Sequence, residues 1–331
     1  MRGIAAIVVM LFHQAVHHGE PGILVHAYLA VDFFFVLSGF VLARTFEPRF
    51  AAGLGTLDFM VSRFRRLWPL ISLGTMLGLV RLLLAGEPGN ASLLLALGLA
   101  FIPHLAGFAT LFPLNGPQWS LLAELIANFA HVTILRRASP PVLVAIALNC
   151  ALGMLVAGIA FGGFNIGWQE KGIWAGPLRA GIGYCNGVIL ARSLDGCATS
   201  RSWSGLVPLL LLPTILVGLG LLSLDAAFLP SWGLMTVGFP LLVLLALRTG
   251  APELAAPALN WLGRISFPLY AVHGPILELT ELWARSQHMS GVLPRALALA
   301  IALVAAAGLA ETRLGGKPKP GQARPLAPVW P

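Results

Sequence analysis

Residues 141–162 read PVLVAIALNCALGMLVAGIAFG. These 22 positions hold no charged side chain, and polar and apolar residues do not alternate along them. A helix needs about 20 apolar residues to cross a bilayer, whereas a barrel strand is shorter and alternates. Hydrocarbon offers the backbone no partner, so a segment this apolar must satisfy its own N–H and C=O groups as an α-helix. The stretch reads as a transmembrane span.

The rest of the chain follows the same pattern. Of its 331 residues, 57% are hydrophobic and 10% charged, where a soluble domain carries about 25% charged residues. Further apolar runs place spans at about 2–18, 27–44, 67–85, 119–136, 173–191, 205–224, 230–247, 265–284 and 293–311. The expected fold is all-α, a polytopic transmembrane helix bundle of about ten spans over residues 1–312. The stretch 86–118, broken by Pro88, Pro103, Pro113 and Pro117, is expected to be re-entrant or extracytoplasmic, and the Gly-, Pro- and Lys-rich residues 313–331 to be a disordered cytoplasmic tail. The run from Ile4 to Val16 has no small-x-small cleavage site and reads as a retained helix.

The net charge of +8 is a matter of topology rather than of nucleic-acid binding. With ten spans and both termini cytoplasmic, only Arg81, Lys171, Arg179, Arg285 and Arg295 of the 21 basic residues fall outside or near that edge, as the positive-inside rule requires. A full extra span at 91–112 would turn Arg136, Arg137, Arg192 and Arg201 outward. Cys150, Cys185 and Cys197 are odd in number and widely spaced, so they form no disulfide framework.

Ionisable residues within spans are costly and point to function. Arg2 and His13 are eleven positions apart, which puts them on one helical face about 16 Å apart along the axis. The plainer reading is a positive-inside anchor and a histidine bonded to a neighbouring helix. Asp32 stands near the outer end of an apolar run, where it could be merely interfacial, while Ser38 and Gly39 suit close helix packing. Arg63, Arg65 and Arg66 lie in the inner loop 45–66, and arginine forks suit phosphates. Glu124, just after Trp119 and Ser120, has no basic neighbour in sequence, so its partner must come from another helix. Ser266, Tyr270 and His273 share one face. His13, His17 and His18 have the spacing of metal ligands, but Glu20 is the one acid nearby and no metal is expected.

In this order these segments resemble the acyltransferase-3 family of bacterial integral-membrane acyltransferases. Arg2 to His13 is similar to its Arg-x10-His helix, and Val31-Asp32-Phe33-Phe34-Phe35-Val36-Leu37-Ser38-Gly39-Phe40 to its second-helix signature. Phe59-x3-Arg63-x2-Arg66-x2-Pro69, Trp119-Ser120-Leu121-x2-Glu124 and Ser266-x3-Tyr270-x2-His273 resemble three further blocks. The aromatic pair often found after the glutamate is Ala127-Asn128 here. The resemblance implies an enzyme that moves an acyl group, commonly acetyl, from cytoplasmic acyl-CoA to a hydroxyl of a surface glycan or lipid-linked sugar at the bacterial inner membrane. Acyl-CoA is then a co-substrate, and no bound cofactor is expected. The family implies His13 as catalytic residue with Arg2 as its companion, and Arg63 and Arg66 as donor-binding. Asp32 or Glu124 would orient the His13 ring, and Tyr270 or Ser266 would steady an oxyanion, with Trp119 and His273 beside the substrate. A secondary transporter or exporter is the alternative, but it would be expected to show inverted repeats, and none is visible.

Overall fold

A computed structural model describes residues 1–107, 109–194 and 203–312. Among these residues the chain forms helices α1 (Arg2–His17), α2 (Ala30–Ala51), α3 (Thr56–Leu84), α4 (Ala91–Leu99), α5 (Gln118–Thr133), α6 (Pro140–Phe161), α7 (Ala175–Ser193), α8 (Val207–Gly220), α9 (Leu224–Gly233), α10 (Phe239–Arg248), α11 (Ala256–Ser286) and α12 (Val292–Ala310), and no strand. A π-helical turn, Leu234–Gly238, joins α9 to α10. The expected tail, 313–331, and residues 195–202 lie outside the described residues.

Among the described residues six segments are long and apolar enough to cross a membrane: Gly22–Ala51, Thr56–Leu84, Pro140–Phe161, Trp203–Gly220, Leu224–Arg248 and Val292–Ala310. The remaining expected spans coincide with α1, α5, α7 and α11. Of these, α1 and α5 have 16 residues each. Helices α7 and α11 are longer, but their apolar character is interrupted by groups such as Arg179, Asn186, His273 and Glu278. Arg2, His13, Glu124, Arg179 and His273 lie on these four helices, while buried Asp32 and Arg63 lie on two of the apolar spans.

One expectation changes. The basic stretch 45–66 is mostly helical rather than a loop: α2 runs on to Ala51 and α3 begins at Thr56. Gly53, at φ 97°, makes the turn between them, and Asp58 favours the first turn of α3 through the helix dipole. Arg63 and Arg66 therefore sit one turn apart on a rigid face. The stretch 86–118 contains α4, whose nine residues reach only about 14 Å, followed by irregular chain up to Pro117.

Small residues set the closest approaches. Gly39 of α2 meets the Tyr184 backbone of α7, while Gly183 and Gly187 meet the backbone of α2 around Asp32, Val36 and Phe40. A Cβ at Gly39 or Gly187 would collide with facing backbone, and one at Gly183 with the Phe35 Cβ. This four-residue glycine spacing is the small-xxx-small device by which membrane helices gain packing energy without a hydrophobic effect. Helix α12 docks on α11 and buries an alanine stripe, Ala298, Ala302, Ala306 and Ala310. On α6 the residues Leu148, Leu152, Val156 and Ile159 form an exposed apolar stripe suited to lipid.

Prolines within helices each release the carbonyl four residues earlier, and two of these carbonyls are claimed by side-chain amides. Pro275 frees the Ala271 carbonyl, which accepts from Asn115 Nδ2 at 3.0 Å. Pro240 frees that of Thr236, which accepts from Asn186 Nδ2 at 3.1 Å. Where no water can substitute, such side chains make the kinks tolerable. At the other end of the bundle Arg192 grips Glu47 at 2.6 Å and donates to the carbonyls of Leu135, Arg136 and Ala138, tying α7 to α2 and to the chain after α5.

Candidate active site

Helix α1 packs along α11, and this brings together the imidazoles of His13 and His273, 260 positions apart in sequence. Their ring centroids are 5.0 Å apart with planes tilted by 58°. His273 is fully buried. Its Nδ1 lies 3.1 Å from the Leu269 carbonyl and 3.0 Å from that of Tyr270. One turn earlier on the same face, the Tyr270 hydroxyl pairs with Ser120 Oγ at 2.5 Å, and both hydroxyls lie within reach of the Pro117 carbonyl.

Below this pair lies a cleft of about 420 Å³, its open mouth included, lined by Arg2, Ser120, Glu124, Ser266 and Tyr270 together with apolar residues such as Phe34. Glu124 receives Arg63 Nη2 at 3.1 Å and Ser38 Oγ at 2.8 Å. Its partner therefore comes from α3, another helix, as its isolation in the sequence requires. Ser38 serves the carboxylate as well as packing. Arg2 lies within electrostatic reach of both Glu124 and Arg63, and Arg66 within reach of Arg2, Arg63 and Glu124. Three guanidinium groups and one carboxylate thus cluster at the Arg2 end. Arg63 is buried while Arg66 is exposed. Ser266 is buried and donates to the Gly263 carbonyl at 2.8 Å.

Asp32 stands elsewhere. It is buried rather than interfacial, and both its oxygens are held by Arg179 of α7, at 2.9 and 2.6 Å. Arg179 also donates to the Ile166 carbonyl at 2.9 Å and lies over the rings of Tyr28 and Trp119, 5.7 and 5.0 Å from their centroids. Arg179, the fifth residue of α7, is one of the most buried side chains of the protein. The cause is local: it precedes Gly183 by one turn, so the close α2–α7 approach carries it onto Asp32. Trp119 is accordingly part of this pair's surroundings. An arginine inside an expected span is itself a signal, and edge placement concealed it. Asn128, where the family often has an aromatic, accepts from the Tyr184 hydroxyl at 3.3 Å.

Past His13, the end of α1 is tied to α11. His17 Nε2 lies 3.9 Å from Glu278 and His18 Nε2 3.5 Å from Glu281, while Arg81 of α3 bonds Glu278 at 2.8 Å. Among the described residues no group of three His, Cys, Asp or Glu side chains is arranged to hold a metal ion.

Fold and site together define a helical membrane protein with an ionisable centre inside its bundle. The chain belongs to the acyltransferase-3 family, whose profile, described as an acyltransferase domain, matches residues 1–311. It is a membrane acyltransferase. It is also similar to "Protein 2 in picA locus" of Rhizobium radiobacter, with 33% identity over 187 residues, covering 49% of this chain and 93% of that protein. No solved structure matches the chain.

Proposed function

We propose that this acyltransferase carries an acetyl group from cytoplasmic acetyl-CoA to a hydroxyl of a surface glycan or lipid-linked sugar at the bacterial inner membrane. The observation that carries this reading is the succession of polar groups through an apolar bundle. It runs from the Arg2, Arg63 and Arg66 cluster, along the cleft, past the Ser120–Tyr270 pair to His13 and His273. CoA is a polyanion that cannot enter hydrocarbon, and planar guanidinium groups suit its phosphates. Exposed Arg66 is the better donor contact, because Arg63 is committed to Glu124. Ten spans with cytoplasmic termini and a re-entrant 86–118 complete the reading, since they keep the arginine cluster inside.

In the proposed reaction His13 takes the proton of the acceptor hydroxyl as general base. The oxygen attacks the thioester carbonyl carbon, the carbon–oxygen bond forms and the carbon–sulfur bond breaks. The departing thiolate takes the proton from His13. A hydroxyl of the Ser120–Tyr270 pair, turning from the Pro117 carbonyl, donates to the developing oxyanion.

The test uses purified full-length protein in liposomes, radiolabelled acetyl-CoA and an envelope-polysaccharide fraction from the source organism. The expected result is alkali-labile acetate on the polysaccharide and one free CoA for each acetate. Arg66→Ala should weaken acetyl-CoA binding about tenfold, the worth of one charge-assisted contact of about 1.5 kcal/mol. Absence of acetyl-CoA-dependent labelling would overturn the donor assignment, and unchanged affinity in the Arg66 variant would move the phosphate site elsewhere.

A further inference from the structure

His273 differs from His13 in being immobile. Its ring is fully buried, Pro268 and Pro275 flank it on α11, and its Nδ1 faces two backbone carbonyls. Carbonyl oxygens only accept, so Nδ1 carries the hydrogen and the lone pair is on Nε2. That Nε2 is buried and, among the described residues, has no partner. Buried acceptors are nearly always paired, so an unpaired one that faces a site is waiting for a donor. His13 is beside it, at 5.0 Å between ring centroids, and is only partly buried, which leaves its ring room to turn. Two imidazoles joined N–H···N would stand about this far apart, given a nitrogen–nitrogen contact near 2.9–3.0 Å. Such contacts are commonly long in the substrate-free enzyme and tighten in the complex.

The carboxylates expected to orient His13 are engaged elsewhere. Asp32 is closed on Arg179, and Glu124 is held by Arg63 and Ser38. We infer that His273 is the positioning residue of the transfer reaction: its Nε2 accepts a hydrogen bond from His13, fixing the His13 tautomer so that the other His13 nitrogen is unprotonated and faces the acceptor hydroxyl. This rests on the reading of His13 as general base. When His13 takes the hydroxyl proton it carries two N–H groups. One returns its proton to the leaving thiolate, and the other stays on His273, where the bond to a charged donor is stronger than before. His273 gains and loses no proton.

The test is the transfer assay on a set of His273 variants, with protein in the membrane quantified for each. A Gln side chain places an acceptor oxygen near the former Nε2, Asn keeps polarity near Nδ1 but leaves Nε2 empty, and Phe fills the volume with no acceptor. Positioning predicts kcat in the order wild type, then His273→Gln, then His273→Asn and His273→Phe together at roughly 100-fold below wild type, with KM for acetyl-CoA unchanged throughout. A packing role predicts instead that Phe matches or exceeds Gln. That order, or near-normal kcat in the Phe variant, overturns the proposal. If the Phe variant fails to accumulate, the Gln and Asn variants still decide: equal kcat in the two, at equal abundance in the membrane, overturns the proposal. His13→Asn separates the two readings. Full activity in that variant removes the general-base reading itself, whereas an inactive His13→Asn beside an active His273→Phe removes only the role of His273.

Discussion

Two arginine–carboxylate pairs lie inside the bundle, alike in chemistry and unlike in setting. Arg179 and Asp32 are 1% and 3% exposed and meet through two short bonds, with Tyr28 and Trp119 around the guanidinium. Arg63 and Glu124 are 8% and 18% exposed and meet through one contact of 3.1 Å at the edge of a cleft, leaving Arg63 Nε without a partner. The first pair is saturated and offers nothing to a ligand, so it fastens α2 to α7. The second is less complete, and its Glu124 lines a space that a substrate can enter. An ionisable pair within a membrane domain is therefore not by itself a mark of the catalytic centre, and the number of hydrogen-bonding positions left over separates the two uses.

The largest expected effect tests the open side of this contrast. His13→Asn should lower acyl transfer by about 100- to 10,000-fold, the usual worth of a general base, with protein abundance and acetyl-CoA affinity unchanged. Retention of near-normal transfer by a folded variant would make His13 a packing residue and break the distinction.

The closed pair should fail in the other way. Arg179→Met leaves Asp32 buried and unpaired, a loss of about 3–5 kcal/mol of stability. The expected readout is a sharp fall in detergent-stable protein, with normal transfer per surviving molecule. The double variant Asp32→Leu with Arg179→Met removes both charges and should recover much of the abundance. A stable but inactive Arg179→Met would instead bring that pair into the catalytic machinery.

The smallest effect is the control. His288 is exposed, beyond α11, at a backbone φ of 55°. Asparagine tolerates that conformation well, so His288→Asn should change stability by less than about 0.5 kcal/mol and leave transfer at the wild-type rate. A loss comparable to that of His13→Asn would mean that histidine loss acts on this protein without regard to place.

Much of this was readable from the chain. Spans were visible because lipid compatibility depends on about 20 neighbouring residues at a time, and a window of that size holds the whole signal. The motif residues stood out because charge is rare in such windows. The need of Glu124 for a partner from another helix followed from its isolation. The elements least well placed were those where local polarity misleads. The stretch 45–66 is basic enough to suggest a loop, yet basic side chains at a membrane face are compatible with helix, and α2 and α3 extend through most of it. Asn115 and Asn186 gave no signal, because their work is to answer prolines, Pro275 and Pro240, that lie 160 and 54 positions away.

By itself the sequence determined the solvent, the helical architecture and the set of residues from which a site could be made, since hydrophobicity and charge are properties of short stretches. Only the tertiary structure decided who meets whom: Arg179 with Asp32 across 147 positions, Arg63 with Glu124 across 61, and His273 beside His13. The reason is that such pairings are set by helix approach. Gly39, Gly183 and Gly187 let two backbones close upon each other and so select which polar side chains, one turn away, come into reach.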